Sequence, residues 1–179
     1  GIFYLMDAEG HFLLQNRNFE AVTGYTPEEI SRLHPLDFFE GNDRQLIEER
    51  IGATFEHGSA SAEALFKAKD GSKRPYFFTG RRIALEDGRP GLVGVGIDIT
   101  EQKHVEEVLA RQSAVLQATL EAMDQGISVV DADLRMIALN RRFCELLDFP
   151  ESIARVGADF ADFIRFNAER GEYGPCDVE

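Results

Sequence analysis

Tryptophan is absent from this chain of 179 residues, and cysteine and methionine are scarce, at two and three residues. Cys144 and Cys176 show neither metal-ligand spacing nor a disulfide framework. A reducing, cytoplasmic setting is therefore expected. No run approaches the ~20 apolar residues that a membrane span needs, so no membrane contact is expected within this segment. No signal-peptide pattern opens it either. A basic face is also missing. The net charge is −13, and acids outnumber bases 16 to 11 in residues 1–100, 5 to 2 in 101–125 and 11 to 6 in 126–179. Acidity spread so evenly excludes phosphate-backbone binding, and with it nucleic acid as a partner. Colloidal solubility accounts for it.

Catalytic constellations are wanting too. Glu28-Glu29 and Glu48-Glu49 are adjacent carboxylates, which point apart on a helix. Gly88, Gly91, Gly94 and Gly96 precede the end of a strand rather than opening a helix, so they form no phosphate cradle. His104 sits among acids on a helix, in a context unlike a kinase phosphoacceptor motif. Neither an enzyme nor a metal site is expected.

What the chain does have is a repeat. Asp7, Asn16 and Phe19 return as Asp131, Asn140 and Phe143, each displaced by 124 residues. Pro27-Glu28-Glu29-Ile30 returns as Pro150-Glu151-Ser152-Ile153, one deletion later. Two copies of one unit, joined by a stretch of helical period, point to a modular array. The expected boundaries are residues 1–100 for the first unit, 101–125 for a helical linker and 126–179 for the first half of a second unit. The first residues, Gly1-Ile2-Phe3, already read as strand, so a piece excised from a longer protein is expected.

Within the first unit, two β-prone runs flank Asp7-Ala8-Glu9-Gly10, a hairpin signal. Asn16 reads as the cap of a short helix closed by Gly24, and Thr26-Pro27-Glu28-Glu29 as a second helix start. Residues 43–55 read as a longer helix whose inward stripe is Ile47, Ile51 and Phe55. Three strands follow, over residues 60–69, 74–85 and 91–99, with turns at Asp70-Gly71 and Asp87-Gly88. The pattern predicts an α+β fold, a five-stranded antiparallel sheet with helices on one face. From 101 to about 123 the period becomes helical. Two overlapping heptad frames, Val105–Gln112–Thr119 and Leu109–Leu116–Met123, predict a coiled coil and a homodimer through this helix.

These residues resemble the PAS family, sensory modules of bacterial signalling proteins such as sensor histidine kinases and enzymes of cyclic-di-GMP turnover. The resemblance rests on the Asp7…Gly10 hairpin, Asn16 with Phe19, Gly24-Tyr25-Thr26-Pro27-Glu28-Glu29, Lys69-Asp70-Gly71, and Gly96-Ile97-Asp98-Ile99-Thr100 running into a charged helix. Residues 126–179 resemble the first half of a second copy, with Cys176 where that pattern usually shows Gly. The resemblance implies a PAS fold, a non-catalytic sensory role in a two-component or cyclic-di-nucleotide pathway, and an output domain in the same polypeptide. It also implies a cytoplasmic location, including the cytoplasmic part of a membrane-anchored sensor. The junction expected to carry the signal is Asp98, Ile99 and Thr100, with Thr100 capping the helix.

Some relatives hold haem or flavin. Ile47 stands where a haem-ligating His would be, and the first unit has no Cys for a flavin adduct. No cofactor is predicted, and a small unknown ligand is the alternative to a filled core. The candidate pocket is Phe19, Val22, Phe38, Phe39, Ile47, Ile51, Phe55, Phe77, Val93, Val95 and Ile97, with Arg50, Thr79 and Asn16 as polar neighbours.

Overall fold

A computed structural model describes residues 1–150 and 152–174. The chain divides into two compact units, Gly1–Glu106 and Glu107–Glu179. The first opens with β1 (Ile2–Asp7) and β2 (Phe12–Gln15), then α1 (Arg17–Thr23), α2 (Pro27–Ile30), a 3-10 turn over Pro35–Phe38 and α3 (Gly41–His57). It closes with β3 (Ser59–Lys67), β4 (Lys73–Ala84) and β5 (Pro90–Asp98). All neighbours are antiparallel, in the order β2-β1-β5-β4-β3, so the last strand runs through the centre between β1 and β4.

Local chemistry sets the boundaries. Asn16 accepts the Phe19 amide and so caps α1, and Gly24 ends that helix at φ 72°, in the left-handed region glycine enters without a Cβ clash. Thr26 and Glu29 form a reciprocal capping box with Pro27 in the first turn of α2. At the first hairpin the Asp7 carboxylate accepts the Glu9 and His11 amides, which closes the turn.

α3 begins after Glu40, whose side chain makes no capping bond. That carboxylate instead meets Lys67 at 2.8 Å and Lys73 at 2.7 Å, on β3 and β4. Hydrogen bonds from the two ammonium groups lower its pKa to about 2 from 4.5. A depressed carboxylate stabilises the fold above its unfolded pKa, so this contribution is complete above about pH 4.5 and fades as the pH falls toward 2. A carbon-detected NMR titration is expected to place the Glu40 midpoint near 2. A midpoint at the ordinary carboxylate value would show the two pairs broken in solution.

α4 (Thr100–Glu121) follows β5 without a loop and buries none of its side chains. Met123, expected on its stripe, lies beyond its last residue. The second unit has β6 (Ser128–Val130) paired antiparallel with β7 (Met136–Leu139), then α5 (Arg141–Leu147) and α6 (Phe160–Glu169). Asn140 caps α5 as Asn16 caps α1. The β6–β7 register slips beside Val130, as β1–β2 slips beside Met6. Met136, Phe149, Ala158 and Phe163 form its core. Cys176 and Glu151 lie outside the described residues.

Candidate functional site

The inner face of the first sheet carries a cage of aromatic rings. Phe38 is at its centre, with ring centroids of Phe12, Phe19, Tyr25 and Phe66 at 6.0, 5.4, 5.7 and 5.3 Å. Tyr4 meets Phe12 and Phe19 edge-on at 6.0 Å, and Phe66 continues the cage to Phe39, Tyr76 and Phe78. Edge-to-face pairs at such spacings add roughly 0.5–1.5 kcal/mol each beyond area burial. The rings leave a cavity of about 50 Å³ between the sheet and α3. A water needs roughly 10–15 Å³ by this measure, so the space suits a guest of only a few heavy atoms.

Its wall is overwhelmingly apolar, with Met6, Pro35, Ile47, Ile51 and Leu92 beside the rings. The polar side chains at the cavity are those of Tyr4, Arg50, Thr54 and Ser61. The Thr54 hydroxyl donates to the Arg50 carbonyl at 2.8 Å, which leaves its lone pairs available. Burial pushes the Tyr4 hydroxyl up to about 12, so at neutral pH it is a protonated donor and never a phenolate.

At the far end of β5 the chain passes straight into α4. The Asp98 carboxylate accepts both the backbone amide of Thr100, at 2.9 Å, and its hydroxyl. Burial raises the Asp98 pKa, but these bonds and the nearby Arg74 outweigh it and hold the carboxyl below its ordinary value. The Ile99 amide donates to the Pro75 carbonyl on β4, and the Ile99 side chain is buried. Lys103, one turn into the helix, reaches Glu63 on β3 at 2.7 Å. Sheet and first helical turn are thus joined at three points.

A family model described as PAS fold matches residues 1–104, and a second with the same description matches residues 120–179. The chain belongs to the PAS family. Members of this family are sensory, non-catalytic modules of signalling proteins. Among solved structures, a PAS domain from Colwellia psychrerythraea is 22% identical with a TM-score of 0.50, over 56% of this chain and 86% of that one. The N-terminal domain of a diguanylate cyclase with a PAS/PAC sensor, from Marinobacter aquaeolei, is 17% identical at 0.50, over 57% and 98%. PAS-B of Drosophila melanogaster Cycle with bound ethylene glycol is 17% identical at 0.50, over 55% and 99%. At such identities the likeness is one of fold. No curated protein matches the chain.

Of the residues expected to line a PAS pocket, Phe19, Phe38, Phe39, Ile47 and Ile51 surround the cavity. The others do not. Val95 and Ile97 are 38% and 52% exposed, on the outer face of the sheet. Val93 and Val95 floor an open surface depression there with Thr79 and Arg81, and Phe77 lies opposite Ile97 on that same face. The inward row of β5 is Leu92, Gly94 and Gly96, because the cage needs the room. A Cβ on Gly94 would sit 2.2 Å from the Tyr4 ring, and one on Gly96 2.7 Å from Ile2 and 2.8 Å from Phe78.

Phe55 gives way to Thr54 on α3. Counted from Ile47, Thr54 is seven residues on and returns to within ~20° of the same direction, whereas the eighth is ~80° away. Val22 packs against the core rim, beside Phe66 and Tyr76, away from the cavity. Asn16 is occupied by its cap. Thr100 does not cap α4; it is the first helical residue and donates to Asp98. Tyr4, Phe12, Phe66 and Phe78 line the cavity without being expected there, although alternation carries the signal: Tyr4 pairs with inward Gly94, Phe12 with buried Met6 and Phe78 with inward Gly96, and Phe66 lies two residues from buried Ala64 on β3.

Among the described residues no cluster of three His, Cys, Asp or Glu side chains could hold a metal, and no helix is long and apolar enough to cross a membrane.

Proposed function

We propose that this chain is the regulatory, non-catalytic segment of a multidomain signalling protein. Residues 1–100 sense, 101–125 transmit and 126–179 receive. The first PAS unit detects a small ligand or a partner, and its state passes through Asp98, Ile99 and Thr100 into α4, toward an output domain in the same polypeptide. The observation that carries this reading is the loopless passage from the central strand, whose Leu92 lines the cavity, into a helix with no buried side chain. A strand tied to a helix by the Asp98–Thr100 bonds couples a small change in sheet twist to helix angle or register. Alanine at both 98 and 100 is expected to abolish signal-dependent output in the full-length protein while its thermal unfolding midpoint moves by less than a few degrees. Unaltered regulation in that double variant would refute the junction's role.

The partner is proposed to be a second copy, held through α4. Val105, Leu109 and Leu116 are exposed and follow the heptad spacing, and Gln112 and Thr119 within the stripe loosen the seam so that its register can change. Lysine at both 109 and 116 is expected to convert the dimer to a monomer in sedimentation equilibrium. Equal mass for parent and variant would remove α4 from the interface. The proposed setting is cytoplasmic.

A second reading, a ligand-free dimerisation scaffold, is favoured by one observation. About 50 Å³ is small beside the ligand pockets of roughly 300–1,000 Å³ found in proteins generally. Native mass spectrometry of gently purified protein separates the two, since a retained small molecule excludes the scaffold.

A further inference from the structure

We infer that Asn140 is the residue through which the linker helix acts on the second PAS unit. The inference rests on the reading of α4 as the transmitting element. Asn140 is 0% exposed, and its side-chain amide makes four hydrogen bonds. The Oδ1 atom accepts the Ile127 amide at 2.8 Å, just ahead of β6, and the Phe143 amide at 3.0 Å, in the first turn of α5. The Nδ2 group donates at 2.8 Å to the carbonyl of Gln125 and at 2.8 Å to that of Leu120, in the last turn of α4.

The last carbonyls of a helix have no partner within it. Leu120 otherwise receives only a long 3.4 Å bond from the Met123 amide, so Asn140 is its main ligand. Glu121, the final residue of α4, accepts the Arg141 amide at 3.2 Å alongside. Oxygen and nitrogen share one rigid planar amide, so displacing the nitrogen turns the oxygen's lone pairs away from the Ile127 and Phe143 amides. A shift or rotation at the end of α4 therefore pulls together on the start of β6 and the cap of α5.

The repeat shows which of these bonds the two units share. Asn16, the equivalent residue, accepts the Phe3 and Phe19 amides at 3.1 Å each, which is the shared task of tying strand to helix. Its nitrogen donates to the Gly1 carbonyl at 3.2 Å, as that of Asn140 donates to the equivalent Gln125 carbonyl at 2.8 Å. The oxygen builds the PAS unit. The nitrogen's bond to Leu120 is the one that reaches the helix.

The test separates those two halves of one side chain. In Asn140→Asp both acceptor bonds survive and both donor bonds are lost. Asn140→Ser keeps a good helix cap but is too short to reach Leu120. Amide exchange of β6 and of the first turn of α5 is followed in the full chain, with and without Ala114→Pro, which breaks α4 at its middle. With Asn140 present, the break is expected to speed exchange at these amides at least tenfold. In either Asn140 variant it is expected to change them less than twofold. The same fold-change in all backgrounds overturns the inference. Loss of α6 protection in both variants, without any helix break, also overturns it, because Asn140 then only holds the unit together. The helix break needs no signal from the first unit, so failure here is distinct from failure of the Asp98–Thr100 double variant.

Discussion

Replacing Phe38 by alanine is expected to cost about 3–5 kcal/mol of stability in the first PAS unit, the range for deleting a buried ring that its neighbours cannot replace. The ring is 1% exposed and touches four others, from β2, α1, the loop before α2 and β3. None of these can slide into the vacated space without giving up its own partner, so the about 50 Å³ cavity should grow by most of a benzene volume. An apolar void of that kind stays dry and takes an apolar guest. Benzene at a hundred times its dissociation constant should then return ~2.7 kcal/mol. Urea unfolding of parent and variant, each with and without benzene, measures both. A cost under about 1 kcal/mol, or no rescue, would mean that the cage is loosely packed.

Gly94→Ala works in the opposite sense. Its new methyl would lie 2.2 Å from the Tyr4 ring and 2.5 Å from the Tyr4 hydroxyl. Tyr4 cannot retreat, because Phe12 and Phe19 stand against it, so the ring must turn into the cavity or the β1–β5 pair must part. Overpacking of this kind costs about 1–3 kcal/mol, and more where backbone must move. The expected result is a destabilised unit with its cavity filled by Tyr4, seen as a lower urea midpoint and lost access of small guests. Gly52→Ala supplies the contrast. Beyond its chain neighbours and the backbone of its own helix, no atom lies within 4 Å of the added methyl on α3, and removing a mid-helix glycine should stabilise by about 0.5–1 kcal/mol.

Much of the PAS fold was legible because its signals are local. The Asn16 and Thr26 caps, Gly24, the Asp7 hairpin and the Asp70-Gly71 turn each follow from two or three neighbouring residues. The 124-residue repeat needed only comparison of the chain with itself. The site was harder. On β5 the alternation of Val93, Val95 and Ile97 with Leu92, Gly94 and Gly96 reads equally well with either row inward, and side-chain hydrophobicity favours the valines. What decides is volume arriving from elsewhere, namely Ile2, Tyr4 and Phe78, and nothing within β5 announces it. Thr54 was likewise hidden by Phe55, whose greater apolarity outweighs an angular difference of one residue. At the junction Asp98 and Thr100 were both visible, but which one serves the other depends on where the helix begins, a matter of a single residue.

The central claim is that occupancy of the first unit reaches α4. Hydrogen exchange at the first two turns of α4 measures it most directly, in Phe38→Ala protein with its enlarged cavity empty and then filled by benzene. Filling is expected to change protection of Lys103, whose amide donates to Ile99 at 2.9 Å, and of the turn beyond it, along with β5. Changes confined to the cage and ending at Asp98 would contradict the account.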